Sequence, residues 1–318
     1  MRLLFAGTPA FAVPTLRLLA EDQLVAAVLT APDKPAGRGK RLTPSPVAQE
    51  ALALGIPVLK PERLGASARE AVRETGADLL VCVAYGKIFG PRFLAIFPHG
   101  GINLHPSLLP KYRGPAPIPA AILAGDTSTG LTVQYLAERM DAGDIILQDV
   151  IELDGSETTG SLTDYCAREG AVLVRRAVEA IRSGTVEARP QNEAEASYCR
   201  LLQSSDAWVD WHTSAVQIDR QIRAYDPWPG ARTSFGGSWL RIHEATPLAS
   251  APVPDIDPGT RPGTVVGVDS RYGILVQTGN GILGIQRLQM AARASLIWKD
   301  FLNGVDLPVG TVLHAQEN

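Results

Sequence analysis

The sequence predicts an α/β protein: a Rossmann-like parallel-sheet domain followed by a small OB-like β-barrel domain. Three observations carry that prediction. In the first part of the chain, short and nearly continuous apolar runs alternate with segments of helical periodicity, the pattern of a parallel sheet covered on both faces. From about Asp206 the pattern changes to short strand-like runs separated by Gly and Pro, the punctuation of a small open barrel. The 318 residues suffice for two domains of ordinary size.

Residues 2–6 are the first apolar run, stopped by Gly7-Thr8-Pro9. Phe11, Val13, Leu16, Leu18 and Leu19 follow at roughly helical spacing, with Thr8 as the expected N-cap and Pro9 in the first helical position. Buried strands are expected over 24–30 and 56–60, a helix over 67–75, and a continuously apolar strand over 78–84. Further strands are expected over 100–105, 129–136 and 145–153. A long amphipathic helix over 158–181, carrying Leu162, Tyr165, Ala171, Val172, Val174 and Val178, closes the first domain. The first domain is set at 1–189, a linker without sustained periodicity at 190–205, and the second domain at 206–318.

In the second domain a helix over 214–225 precedes strand-like segments at 232–235, 239–243, 264–268, 273–277 and 282–286. A final helix is expected over 294–302. Trp208, Trp211 and Trp228 flank the amphipathic helix and are expected in its core. Residues 249–262, rich in Pro and Asp, read as an exposed loop. Gly279-Asn280-Gly281-Ile282-Leu283-Gly284 matches GxGxxG but lies between barrel strands, so it reads as a hairpin turn and not as a dinucleotide fingerprint.

The 45% hydrophobic and 20% charged fractions exclude a disordered, collagen-like or coiled-coil chain. With 30 Lys+Arg against 33 Asp+Glu the net charge is -3, which excludes a uniformly basic surface and confines any polyanion site to a local patch. Cys82, Cys166 and Cys199 have no CxxC spacing and the histidines no ligand spacing, so neither a disulfide framework nor a metal is expected. The opening apolar run is too short for a signal peptide, and no run approaches about 18 apolar residues. A reducing cytoplasm, away from membrane, is the expected location. There is no Walker P-loop and no GxSxG elbow.

The chemistry concentrates in Asn103-Leu104-His105-Pro106-Ser107-Leu108-Leu109-Pro110. Asn103 and His105, two apart on a strand, project on one face. Pro106 biases His105 to an extended backbone, which keeps the strand running to its last residue. The carboxyl ends of parallel strands line the ligand crevice, so the pair lies where chemistry is expected. Asn can donate to a developing oxyanion, and His can donate or exchange a proton near neutral pH. An isolated His would more often satisfy a turn. Two polar side chains interrupting one face of an apolar strand weaken that reading.

Two other segments matter. Met140-Asp141-Ala142-Gly143-Asp144 offers two carboxylates between strands, each an ordinary turn Asp unless a partner such as His105 promotes it. Residues 33–46 carry Lys34, Arg38, Lys40 and Arg41 against Asp33, net +3, in a loop long enough without secondary structure to suspect function. It is the local basic patch that the overall charge requires.

Taken with Phe5-Ala6-Gly7-Thr8-Pro9, Asp210-Trp211 and Tyr225-Asp226-Pro227-Trp228-Pro229, these segments resemble the bacterial methionyl-tRNA formyltransferases over essentially the whole chain. The Asn-x-His-x-Ser-Leu-Leu-Pro segment is common to folate-dependent formyltransferases, whereas Pro-Ala-Gly-Arg-Gly-Lys is more specific to the tRNA enzymes. The resemblance implies a Rossmann-like formyltransferase domain that moves the formyl group of 10-formyltetrahydrofolate, its co-substrate, to the α-amino group of methionine on initiator methionyl-tRNA. It implies Asn103, His105 and Asp141 as the catalytic trio, with Asp141 orienting His105 and favouring its charged form. Ser107, Leu108, Leu109 and Pro110 match the folate-binding segment, and the backbone over 86–89 the pteridine slot. Arg38, Lys40 and Arg41 match the loop that enters the tRNA acceptor end. A bacterial, cytoplasmic monomer whose second domain helps hold tRNA is expected, with no metal.

Residues 200–205 and 291–294, where the family carries basic runs, supply only Arg200 and Arg293. From Asp206 onward there are 9 Lys+Arg against 11 Asp+Glu, net -2. A formyltransferase acting on an amino sugar nucleotide or a purine precursor is disfavoured by the basic loop. A non-catalytic tRNA-binding protein is disfavoured by Asn103, His105 and Asp141.

Overall fold

The apolar runs of the first part of the chain become the strands of one sheet. The computed structural model describes residues 1–36, 41–250, 252, 257 and 259–315. These form two units, the first made of Met1–Pro117, Ser128–Glu152 and Leu162–Arg200, the second of Ile118–Thr127, Leu153–Ser161 and Leu201–Asn318. In chain order the first elements are β1 (Leu3–Gly7), α1 (Val13–Glu21), β2 (Val25–Leu29), β3 (Lys34–Ala36), β4 (Arg41–Thr43), α2 (Pro46–Ala53), β5 (Val58–Leu59) and α3 (Ala66–Glu74). Next come β6 (Leu79–Val83), α4 (Pro91–Leu94), β7 (Gly101–His105), α5 (Pro117–Ala124), β8 (Ser128–Tyr135), β9 (Ile145–Glu152) and α6 (Thr159–Ser183).

The sheet of the first unit runs β5-β2-β1-β6-β7-β8-β9. Its first five strands are parallel, as expected, but β8 is antiparallel to β7 and β9 to β8, so the sheet is mixed. The connection from β8 to β9 is too short for the crossover that a parallel pair needs. Strand order reverses between β1 and β6, which opens a crevice beyond their carboxyl ends. There the Thr8 hydroxyl donates to the Tyr85 carbonyl at 3.2 Å and ties the loops after β1 and β6 together. Thr8 is therefore not the expected helix cap. The chain enters α1 through a single 3-10 turn, Ala10–Ala12, and Pro14 occupies the first turn of α1.

β1 and β6 are buried along their whole length, and alternate residues feed opposite faces. Leu4, Ala6, Leu80 and Cys82 pack with Phe89, Phe93 and Phe97 on one face. Burying each large side chain of this kind contributes about 2 to 3 kcal/mol. Cys82 stands opposite Asn103 in the register, so Asn103 continues this face at the carboxyl end of β7.

Residues 33–46 depart from the structureless loop expected of them. β3 and β4 pair as an antiparallel hairpin, and Lys60 Nζ holds Asp33 Oδ1 at 2.6 Å at its base. Both strands are too short and too exposed to show an alternating apolar pattern, which is why the sequence does not reveal them. Lys34 and Arg41 are exposed, while Arg38 and Lys40 lie outside the described residues.

The second unit contains α7 (Ala215–Ala224), β10 (Arg232–Phe235), β11 (Ser238–Leu248), β12 (Val265–Asp269), β13 (Gly273–Gln277), β14 (Ile282–Met290), β15 (Leu296–Ile297) and α8 (Trp298–Gly304). The antiparallel sheet runs β10-β11-β14-β13-β12, with β15 on β14. β11 and β14 are longer than expected, and register shifts near Glu244 let the long pair bend. Residues 310–314 then bond to both edges: Leu313 N–H donates to Gly263 at 2.8 Å, and Ser234 N–H to His314 at 2.7 Å. This segment joins the edges into a barrel and removes the exposed strand edges.

Ser214 caps α7, whose Ala215, Ile218 and Ile222 enter the barrel core with Leu240 and Ile285. The helix expected over 294–302 begins as β15 and becomes helical only at Trp298. Trp211 is buried and donates Nε1–H to Thr233 Oγ1 at 3.0 Å, and Trp208 is half-buried. Trp228, expected in the core, is 52% exposed, because Pro227 and Pro229 hold it in the turn after α7. Gly279 and Gly281 lie in the turn between β13 and β14 as expected. Of the 249–262 loop, residues 251, 253–256 and 258 lie outside the described residues. Among the described residues no helix is long and apolar enough to cross a membrane.

Candidate active site

Asn103 and His105 project from one face at the carboxyl end of β7, and the facing strand supplies their neighbours. In the antiparallel β7–β8 register Asn103 stands opposite Gln134 and His105 opposite Thr132. Asn103 is half-buried, and its carboxamide has no hydrogen-bond partner among the described residues. A polar group placed at a crevice and left unpaired is available to a ligand. On the other side Cys82 is pushed up to about 12 by burial, so it stands behind Asn103 as a neutral thiol and not as a nucleophile.

His105 is 4% exposed. Its Nε2 lies 2.9 Å from the Tyr112 carbonyl, which can only accept, so Nε2 carries a proton. Its Nδ1 lies 3.7 Å from Asp141 Oδ2. Burial pushes the imidazole below its ordinary value, against the opposing pull of the Asp141 carboxylate and the Tyr112 carbonyl. Asp141 favours the charged form, as expected. It pulls in that direction, but desolvation is the larger effect, so the resting ring is neutral with its lone pair on Nδ1.

Asp141 is the carboxylate of its turn that reaches the site, whereas Asp144 is exposed. Gly114 N–H donates to Asp141 Oδ2 at 2.9 Å and Gln134 Nε2 to Oδ1 at 3.2 Å. Two glycines make this approach possible. A Cβ on Gly143 would collide with the Tyr135 carbonyl, and one on Gly114, at φ +118°, with the Cys199 carbonyl. Of five non-glycine residues with positive φ among the described residues, Ala84, Tyr112 and Asp141 lie in loops of this site. Such backbone is held only where surrounding contacts over-determine it.

The segment after His105 is shaped from inside. Ser107 is fully buried and its hydroxyl donates to the Lys111 carbonyl at 2.6 Å. Thr132 Oγ1 donates to Ser107 O at 2.7 Å and accepts from Leu109 N–H at 3.2 Å, while Gln148 Nε2 donates to Leu109 O at 3.0 Å. Leu109 is buried, which leaves Leu108 and Pro110 half-exposed. The loop after β6, the parallel neighbour of β7, leaves the same edge. It presents Ile88 at 72% exposure and open space beside Gly86, where a Cβ would meet no atom within 4 Å. Exposed apolar side chains beside an unpaired carboxamide suit a ligand with an apolar body and a polar end.

Four residues missed in the sequence complete the arrangement. Thr132 and Gln134 are buried polar residues at alternating positions of β8, a polar face with the period of two of a strand. Arg113, fully buried, donates to Gln191 Oε1 at 2.8 Å and to Glu193 Oε1 at 2.7 Å. Gln191 itself, placed by composition in a linker, bonds to the Asp141 turn. Nothing local marks a Gln in a polar run as different from its neighbours. Among the sequence-nominated residues, Asn103, His105 and Asp141 are brought together, Arg41 is on the exposed hairpin, and Arg38 and Lys40 lie outside the described residues.

Residues 1–182 match the Formyl transferase family and residues 201–306 the Formyl transferase, C-terminal domain family. The chain is 46% identical over 312 residues to the methionyl-tRNA formyltransferase of Treponema denticola, covering 96% of this chain and 97% of that one. The N-formyltransferase of Helicobacter canadensis, crystallised with folinic acid and dTDP-3-aminofucose, superposes with a TM-score of 0.65 at 18% identity over 92% of this chain and 100% of that chain. HypX from Aquifex aeolicus in complex with tetrahydrofolic acid gives 0.62 at 18% identity over 98% of this chain and 50% of that one, so this chain spans half of HypX. At such identity both likenesses are of fold. The 46% identity is spread over nearly the full length of both proteins and runs through both matched domains, and on that ground the chain belongs to the methionyl-tRNA formyltransferase family.

Proposed function

We propose that this protein transfers the formyl group of 10-formyltetrahydrofolate to the α-amino group of methionine on initiator methionyl-tRNA, making N-formylmethionyl-tRNA for translation initiation. The observation that carries this reading is an Asn103 carboxamide without a partner among the described residues, beside a neutral His105 backed by Asp141, in a chain of this family. We take 1–189 as the catalytic domain, joined through 190–205 to a tRNA-binding domain over 206–318. The site is read as working in a bacterial cytoplasm, in a monomer, without a metal.

The formyl-folate supplies an activated formyl carbon, whose oxygen gathers negative charge when the methionyl amine attacks. Asn103 Nδ2 donates to that oxygen. His105 Nε2–H is committed to the Tyr112 carbonyl, so oxyanion stabilisation falls mainly to Asn103 and the Nδ1 lone pair takes the amine proton. Asp141, at 3.7 Å, stabilises the imidazolium so formed. Collapse of the tetrahedral adduct then breaks the bond from the formyl carbon to N10 of the folate, the imidazolium gives its proton to that nitrogen, and tetrahydrofolate leaves. Leu108 and Pro110 wall the folate site, with Ser107 and Leu109 holding that wall in shape.

The neutral ring has a sign that can be checked. NMR titration of the His105 ring in the free protein is expected to give a midpoint below 6.5, its ordinary value. Between that midpoint and 6.5 the unfolded chain binds more protons than the folded one. Stability from this group is therefore complete above 6.5 and declines as the pH falls through the folded value. A midpoint above 6.5 contradicts this assignment.

Arg38, Lys40 and Arg41 are read as contacts to the tRNA acceptor end. Replacing all three by Ala should raise KM for methionyl-tRNA, flatten the log–log salt dependence by about 2 to 3, and leave folate affinity unchanged. An unchanged slope moves the polyanion site elsewhere. The whole reading is tested by single-turnover formylation of initiator methionyl-tRNA, elongator methionyl-tRNA and an amino sugar nucleotide. Fast transfer to the first is expected, and transfer to the amino sugar alone overturns the proposal.

A further inference from the structure

Residues 189–199 do not simply leave the first unit. They pair back into it: Arg189 bridges Ile145, and Tyr198 bridges Arg113. The fully buried Arg113 guanidinium holds this segment through Gln191, Glu193 and Tyr198, with Arg139 Nη2 on Glu193 at 2.8 Å. From that anchor the Gln191 amide reaches the backbone of the Asp141 turn. Its Nε2 lies 2.9 Å from Asp141 O, 2.7 Å from Gly143 O and 3.1 Å from Gln134 Oε1. Its Oε1 accepts from Arg113 Nη2 at 2.8 Å and Nε at 3.1 Å.

We propose that residues 189–199 form a strap that sets the position of Asp141 against His105, with Gln191 as its positioning residue. Asp141 sits at φ +51°, a conformation that a non-glycine residue holds only when it is fixed from outside. Its side chain is fixed by Gly114 and Gln134, and its backbone carbonyl by Gln191. Gln191 also orients Gln134, the donor to Asp141 Oδ1, so a single amide restrains the carboxylate from two directions. The buried Arg113 charge polarises that amide and strengthens its N–H bonds to the turn. Gln191 bonds to neither Asn103 nor His105 among the described residues and acts through Asp141, while Ser197 and Cys199 of the strap meet the Tyr112 backbone, whose carbonyl faces His105 Nε2.

This inference rests on the formyl-transfer reading, and the experiment separates the two. Wild type, Gln191→Met, Gln191→Glu and Glu187→Ala are compared with saturating formyl-folate and initiator methionyl-tRNA. Met keeps length and volume without hydrogen bonds, whereas Glu keeps the shape but presents oxygen to three oxygens. Both are expected to lower kcat about a hundredfold through a small displacement of Asp141. KM for each substrate should stay within about twofold of wild type. In Gln191→Met the His105 titration midpoint should move further down, because the Asp141 charge is no longer held beside Nδ1. A residue that only stabilised the fold would not move it. Glu187 is exposed and lies outside the strap, so Glu187→Ala should match wild type. An inactive wild type overturns the functional reading itself. With wild type active, Gln191→Met that keeps kcat, leaves the His105 midpoint in place or raises KM in proportion overturns the strap. Loss of cooperative unfolding in both variants overturns it as well, since the amide would then be required for folding.

Discussion

Asn103→Ala is expected to lower kcat by about 10²- to 10³-fold, the loss of about 3 to 4 kcal/mol that follows removal of one preorganised oxyanion donor. The donor is already in position. Asn103 lies between Cys82 and Gln134 in the sheet register, at the last turn of a strand whose backbone is paired on both sides. Its carboxamide is bonded to no described residue, so truncation leaves no buried group unpaired and Tm should remain close to wild type. The bond strengthens as charge develops on the formyl oxygen, so the loss belongs in kcat with little change in either KM. Rapid-quench single-turnover kinetics measures the step directly. A variant within about threefold of wild type removes Asn103 from the mechanism.

Asp141→Asn should lower kcat by about 10³-fold. At the 3.7 Å separation from His105 Nδ1, a unit charge contributes about 4 kcal/mol at an effective dielectric near 20. That interaction exists only once the ring is protonated, which is when the amine has given up its proton. Asn is the informative replacement because it keeps the volume and tolerates the left-handed backbone at φ +51° better than Ala would. Its side-chain oxygen can still accept from Gly114 N–H. Removal of the carboxylate takes away a group that raises the His105 pKa, so the ring midpoint should fall further below 6.5. Folding is checked by thermal melting and the charge effect by NMR titration. Retention of kcat together with an unmoved midpoint shows that Asp141 does not act on His105.

The candidate site on β7 was legible because Asn103 and His105 are two polar residues in an otherwise apolar run, and period two puts them on one face. Asp141 was legible only as a turn residue. Its contact with His105 spans an antiparallel strand pair, and no spacing rule encodes that distance. Thr8 shows the same limit on a smaller scale. It has cap chemistry before a proline, yet its hydroxyl is taken by Tyr85, which is adjacent only because β1 and β6 are neighbours in the sheet.

Local sequence determined the two-part architecture, the parallel run of the central strands, the polar pair on β7 and the net positive cluster over 33–46. These depend on periodicity, turn chemistry and composition, which act over a few residues. Tertiary structure alone decided the rest. It turned β8 and β9 antiparallel, bonded residues 310–314 to both edges of the barrel, left the His105 ring neutral, and tied residues 189–199 back over the Asp141 turn. Each of these outcomes depends on burial or on hydrogen bonds between segments far apart in the chain. Desolvation of His105, for example, comes from everything packed around it, and no neighbour in sequence reports it.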